Sequence, residues 1–81
     1  MRELSKDDID KNSVDTISQY KILDYLKRNL KTSEFKIFLM DKNNIKVVDR
    51  TNDTLYFSYD KTNNEIIFQN ELVDIENDLE L

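Results

Sequence analysis

Hydrophobic residues recur at two different spacings along the chain, and the change of spacing divides it into two parts. In the first part, apolar residues separated by one, three or four positions are Ile22, Leu23, Leu26 and Leu30. Such spacings place side chains on one side of a helix. From residue 35 onwards, apolar and polar residues alternate in four short runs that are separated by Asn- and Asp-containing turns. The pattern predicts a long helix over 13–31, capped by Ser13, and a four-stranded antiparallel meander over 35–69.

The beginning of the chain predicts a short helix over 1–12. Ser5 is the candidate N-cap, and Asp8, three residues later, is its capping-box partner. Leu4 and Ile9 occupy the two positions of a hydrophobic staple. The first helix is therefore predicted from its start signal rather than from its length.

Residues 70–81, the last of the sequence, are mostly acidic and apolar. Leu72, Ile75 and Leu79 form a helical stripe, so the segment predicts a short acidic helix. A frayed acidic tail is the alternative, and the sequence leaves both open. Together the elements predict one α+β domain over 1–81, with the N-terminal helices packed on one face of the antiparallel sheet.

Alternation assigns the strand residues to two faces of the predicted sheet. Expected toward the helices are Phe35, Ile37, Leu39, Ile45, Val47, Leu55 and Phe57, with Ile66 and Phe68. Expected on the opposite face are Lys36, Phe38, Met40, Lys46, Val48, Tyr56, Ser58 and Ile67. A slip of one residue in any strand would exchange its two sets.

Composition narrows the chemistry that is available to the chain. Cysteine and histidine are absent, so there are no disulfides, thiolate nucleophiles, imidazole bases or Cys/His metal sites. Glycine is absent too, which excludes a glycine-rich phosphate loop and leaves Asn and Asp to form the tight turns. We therefore expect no enzyme activity, no metal site and no cofactor. Without an apolar run long enough for a membrane span, or a signal-peptide pattern, we expect a cytoplasmic protein with no membrane partner.

One calcium-loop pattern is present and fails on physical grounds. Asp60 and Glu71 match the first and twelfth positions of an EF-hand loop. Its sixth position holds Glu65 instead of the glycine that makes the sharp turn, and no helix leads into the loop. The segment is better explained as a turn followed by a strand.

Charge is distributed unevenly around the net value of −5. Residues 1–15 carry −2, residues 16–50 carry +4 and residues 51–81 carry −7. Spaced carboxylates on a rigid surface imitate phosphates and steer association with a basic surface. The leading hypothesis is therefore a small acidic protein-binding module that contacts a basic surface on a host protein. The candidate contact residues are Tyr56, Tyr59, Glu65, Glu71, Asp74 and Asp78.

The sharper form of this hypothesis uses the composition. The lack of Gly, Ala and Pro resembles the coding bias of an AT-rich genome, such as that of a low-GC bacterium, its phage or a mobile element. A short acidic protein of that origin fits an inhibitor of a host nucleic-acid-handling or defence protein.

Other interpretations of the same residues stay open. A nucleic-acid-binding sheet face is the first alternative, with the candidate residues Lys36, Phe38, Lys46, Arg50 and Tyr56. The net charge counts against it, because neutralising phosphates dominates such affinity. A homodimer or larger homo-oligomer, formed through the apolar outer face of the sheet, is the second. In the third, the basic and acidic parts complement each other within the fold, or form an ordinary solvated surface.

Overall fold

The computed structural model of the protein describes residues 1–70 and is built around one antiparallel sheet. In chain order the elements are β1 (Arg2–Glu3), α1 (Lys6–Asp10), α2 (Ile17–Asn29), a 3₁₀ turn (Thr32–Glu34), β2 (Lys36–Asp41), β3 (Asn44–Val48), β4 (Thr54–Asp60) and β5 (Glu65–Asn70). The strands lie in the spatial order β1-β2-β3-β4-β5, and each neighbouring pair is antiparallel. The predicted α+β class with an antiparallel sheet is confirmed, although the sheet has five strands rather than four and a single main helix. An acidic helix or tail was predicted over 70–81. Asn70 is the last residue of β5, and the rest of this prediction lies outside the described residues.

The additional strand comes from the segment that was expected to start the first helix. β1 pairs with β2 through Arg2↔Leu39, and the Leu4 amide then donates to the Ile37 carbonyl at 2.8 Å. The chain joins the sheet edge before α1 begins, so the helix spans Lys6–Asp10 rather than 1–12.

The start of α1 follows the predicted capping signal. The Asp8 amide donates to the Ser5 hydroxyl and the Ser5 amide donates to the Asp8 carboxylate, which completes the capping box. Leu4 and Ile9 are both buried in the core, as a hydrophobic staple requires.

The long helix begins later than Ser13. Thr16 is its N-cap, and it forms a capping box with Gln19. The Gln19 carboxamide oxygen accepts from the Thr16 and Asp15 amides, while its nitrogen donates to the Asp41 carbonyl. The helix start is thereby attached to the turn between β2 and β3, and the residues between Ser13 and Thr16 form a link instead of a first turn.

The core lies between the two helices and one face of the sheet, as the alternation predicts. Its buried apolar members are Leu4, Ile9, Ile22, Leu23, Leu26, Ile37, Leu39, Ile45, Val47 and Phe57. Leu30 is half-buried against this cluster, while Phe68 at the edge strand stays exposed. Burying these side chains supplies the main stabilisation, since each contributes about 1.5–3 kcal/mol.

Each of the three meander turns is organised by an aspartate at its start. The carboxylates of Asp41, Asp49 and Asp60 accept the backbone N–H two residues further on. These bonds, with others from nearby side chains, stabilise the charged form, and the pKa of each carboxyl is lowered. Positive φ angles in residues 1–70 fall on Asn12, Asn52 and Asn64, which is the use of asparagine expected in a chain without glycine.

Candidate functional site

The face of the sheet turned away from α1 and α2 is the candidate binding surface, and we call it the open face. Within residues 1–70, both helices pack against the other side, where the buried strand residues lie. The predicted alternation holds in β2 as far as Leu39 and throughout β3 and β4, so the open face receives most of the side chains that the sequence assigned to it. Met40 is the exception, because a bulge between Leu39 and Asp41 leaves it without a partner in the register. By the strand register it carries Glu3, Lys36, Phe38, Lys46, Val48, Tyr56, Ser58 and Ile67.

One row across the open face joins aromatic and basic side chains. Phe38 pairs with Lys46, and Lys46 pairs with Tyr56 in the next strand. The Lys46 ammonium lies 5.6 Å from the centre of the Phe38 ring, within the range of a cation–π contact. All three side chains are half-buried, so their positions are held by neighbours while part of each surface is accessible. Such a row offers flat apolar surface together with one positive charge.

Acidic residues collect at one end of the open face, which we call the acidic end: Asp41, Asp60 and Glu65. Asp41 pairs with Asn44 and Asp60 pairs with Glu65, which places them at neighbouring turns of the meander. The Asn63 side-chain amide donates to Asp60 at 2.8 Å and is the largest cause of its lowered pKa. The Asn43 backbone N–H has the same role for the lowered pKa of Asp41. Both carboxylates therefore keep their charge in mildly acidic solution.

The leading set of predicted contacts is divided by the structure. Tyr56 and Glu65 lie on the open face, but Tyr59 lies on the helix side of β4, because successive strand residues alternate. The Tyr59 hydroxyl donates to the Asn64 carboxamide at 2.8 Å, and the Lys21 ammonium sits 5.4 Å from its ring centre. Tyr56 and Tyr59 therefore do not form one contact surface. The other predicted contacts lie outside the described residues: Glu71, Asp74 and Asp78.

The alternative, nucleic-acid set is brought together more completely. Phe38, Lys46 and Tyr56 share one row, and Lys36 lies one row away beside Val48. Arg50 is separate from them. It belongs to the turn after β3, where its guanidinium lies 3.4 Å from the Glu34 carboxylate.

Three acidic residues of the open face were not among the predicted contacts: Glu3, Asp41 and Asp60. Glu3 reaches it only because β1 pairs with β2, and a two-residue strand leaves no alternating pattern to detect. Asp41 reaches it through a bulge between Leu39 and Asp41, which returns the chain to register at the turn. The bulge was beyond pattern analysis, because it inserts one residue into an otherwise regular strand.

In the part of the chain that the structure describes, no three acidic side chains converge in the manner of metal ligands. No helix among residues 1–70 is long and apolar enough to cross a membrane. Comparisons with family models, curated proteins and solved structures found no match to this chain.

Proposed function

We propose that this chain is a protein-binding module without catalytic activity, which engages its partner through the open face. The observation that carries the proposal is the row formed by Phe38, Lys46 and Tyr56, on a face that both helices leave uncovered. Aromatic side chains held in place by neighbours supply much of the energy of protein interfaces, because they bury a large area at a small entropic cost. Val48 and Ile67 extend the apolar part of this surface.

The charge on the open face favours a protein partner over nucleic acid. Two lysines, at positions 36 and 46, are outnumbered by four carboxylates: Glu3, Asp41, Asp60 and Glu65. Affinity for nucleic acid rests mainly on neutralising phosphates, so such a surface is a poor match. A partner protein with an apolar patch and a basic rim matches this surface, because its patch covers the aromatic row and its cations contact the acidic end.

In its more specific form, the proposal is an inhibitor that blocks a host nucleic-acid-handling or defence protein. A carboxylate-rich surface takes the place of phosphates in a basic groove, and opposite potentials accelerate the encounter. The net charge of −5 supports this form, as does an amino-acid composition that resembles the coding bias of an AT-rich genome, such as that of a low-GC bacterium, its phage or a mobile element.

Capture from a lysate of a low-GC bacterium, with and without nuclease, tests the proposal. We expect the full chain to retain a host protein after nuclease treatment and to release it at raised salt. Ile67→Ser, on the open face, is expected to lose the captured protein. Ile17→Ser is the matched control, because Ile17 is 75 % exposed on α2, away from the open face. Equal loss in both variants, or in neither, would contradict binding through the open face.

Nucleic-acid binding is the second candidate, since the register places Lys46 between Phe38 and Tyr56 as in sheet surfaces that stack bases. Fluorescence anisotropy with a short labelled single-stranded DNA of mixed sequence tests it. The double variant Lys36→Glu/Lys46→Glu would abolish such binding, whereas Glu65→Lys would strengthen it. Binding to a basic host protein is expected to persist in the double lysine variant and to be weakened by Glu65→Lys. Light scattering over a range of concentrations tests self-association through the same face.

A further inference from the structure

The two edges of the sheet differ in length and in chemistry. β1 forms one edge with two residues, both of them charged. β5 forms the other edge with six residues, and Ile66, Ile67 and Phe68 follow one another at its centre. Proteins protect exposed sheet edges with short strands, charged side chains and proline. β1 has such protection, whereas the six residues of β5 include one charge, Glu65 at the start, and no proline.

The exposed apolar surface of β5 lies on both faces of the sheet. Ile67 is 48 % exposed on the open face, and Phe68 is 61 % exposed on the helix side. The Phe68 ring is held in position, because it stacks on Phe57 with the ring centres 5.8 Å apart. A molecule that packs against one face of the sheet covers only one of these two side chains. A strand that pairs with the outer edge of β5 continues both faces and contacts both side chains.

We infer that the outer edge of β5 pairs with β5 of a second copy of this chain, in antiparallel orientation. Within residues 1–70, β4 is the one strand that pairs with β5, and alternate main-chain N–H and C=O groups of an edge strand point away from the sheet. The two-fold axis of the pair is perpendicular to the sheet. The five strands of each copy then form one continuous sheet, and both open faces lie on the same side of it.

The sequence of β5 selects one register for this pair. Opposite residues in antiparallel strands point to the same face, so the two-fold axis passes through one residue position instead of between two. With Ile67 opposite Ile67 of the second copy, Ile66 lies opposite Phe68, and Glu65 lies opposite Gln69. Each apolar residue meets an apolar residue, and no charge faces a like charge. The register centred on Phe68 places Ile67 opposite Gln69, and the one centred on Ile66 places Glu65 opposite Ile67. This self-complementarity is the reason to assign a second copy as the occupant.

Light scattering of the full chain over a range of concentrations tests the association. We expect the molecular mass to rise from that of one chain to that of two. Phe68→Lys places a charge among the apolar residues of the pair, and we expect this variant to remain a single chain at every concentration. Tyr56→Ser is the control, because it changes the open face one strand away from the edge and should leave the dissociation constant unchanged. Circular dichroism of both variants shows that they are folded.

Charge substitutions at Gln69 test the register. Gln69 and Glu65 are four positions apart in one strand, or about 13 Å, so their side chains meet only between copies. We expect Gln69→Lys to tighten the dimer roughly 2- to 30-fold and Gln69→Glu to weaken it by a similar factor, since two symmetry-related cross-strand pairs change together. Ile17→Lys and Ile17→Glu are the matched controls, because they make the same charge changes at a residue of α2 that is 75 % exposed.

Three results would overturn the inference. The first is the mass of a single chain at every concentration. The second is a dimer that Phe68→Lys leaves intact, which would assign the association to another surface. The third is a dimer whose dissociation constant changes no more in the Gln69 variants than in the Ile17 controls. Because these experiments contain no host protein, their outcome is independent of partner binding at the open face.

Discussion

Replacing Gln19 by leucine removes the polar link between the start of α2 and the turn after β2. The Gln19 side chain is 2 % exposed and makes three hydrogen bonds. It accepts from the Asp15 and Thr16 amides at 2.9 and 3.1 Å, and it donates to the Asp41 carbonyl. Loss of a capping interaction costs about 1 kcal/mol, and loss of the hydrogen bond to the carbonyl of Asp41, an exposed residue, costs about 0.5–1.5 kcal/mol.

The summed cost is about 1.5–2.5 kcal/mol, because the Asp15 amide is near the surface and regains a hydrogen bond from water. A chain of this length has a free energy of unfolding of about 4–12 kcal/mol, so the change is a large fraction of the total. Gln19→Glu separates the two parts, since it keeps the acceptor for the two amides and loses the donor. We expect its cost to lie between those of the native chain and Gln19→Leu.

Urea denaturation followed by far-UV circular dichroism measures these differences, with an unchanged m value expected for each variant. Asn29→Ala is the control, because the Asn29 amide is on the same helix but exposed, where its bond to the Tyr25 carbonyl adds little. We expect the control to change stability by about 0.5 kcal/mol or less. A Gln19→Leu variant as stable as the control would refute the assignment of Gln19 as a structural link.

Three further outcomes follow from the described residues. Stability, measured as the urea midpoint against pH, is expected to be constant above about pH 5 and to fall as the pH is lowered further. The reason is that folding lowers the pKa of four carboxyls from 3.8: Asp8, Asp41, Asp49 and Asp60. The stability that these charged groups contribute is present well above pH 3.8 and is lost as the pH falls through their lower pKa values in the folded state. Ile22→Ala, at a fully buried position, should cost about 2–5 kcal/mol in the same assay, whereas Ile17→Ala should cost about 0.5 kcal/mol or less. Asn52→Ala should cost about 1 kcal/mol because φ at this residue is 67°, and Asn52→Gly should leave the urea midpoint close to that of the native chain.

We predicted the start of α1 from local signals but placed that of α2 too early. At Ser5, a cap, its partner Asp8 and the flanking apolar residues all lie within six positions and agree. Before α2, Ser13 and Thr16 are both acceptable caps, but only Thr16 is followed three positions later by a capping-box partner, Gln19. The prediction of Ser13 overlooked this local signal. The bond from the Gln19 amide to the Asp41 carbonyl joins distant segments, so no local pattern contains it.

The open face was predictable wherever alternation was unbroken. The sequence placed Phe38, Lys46 and Tyr56 on one face, and the register puts them in one row. Tyr56 and Tyr59 are three positions apart in one strand, so alternation places their side chains on opposite faces of the sheet. Their assignment to one set of contact residues was inconsistent with that alternation. The position of Glu3 could not be predicted in this way. It depends on the pairing of β1 with the edge strand β2, and both helices separate these strands in sequence.

That distant pairing sets an order for the folding reaction. The strands β2 to β5 are consecutive in sequence, and each pairs with the next across a turn of a few residues. β1 must close a loop roughly ten times longer, and its loop-closure entropy costs about 2 kcal/mol more. We expect a contact of that kind to form late, so that the meander forms first and β1 with Leu4 docks after the transition state. Substitutions in β1 are then expected to accelerate unfolding and to leave the folding rate nearly unchanged, which stopped-flow unfolding and refolding in urea would measure.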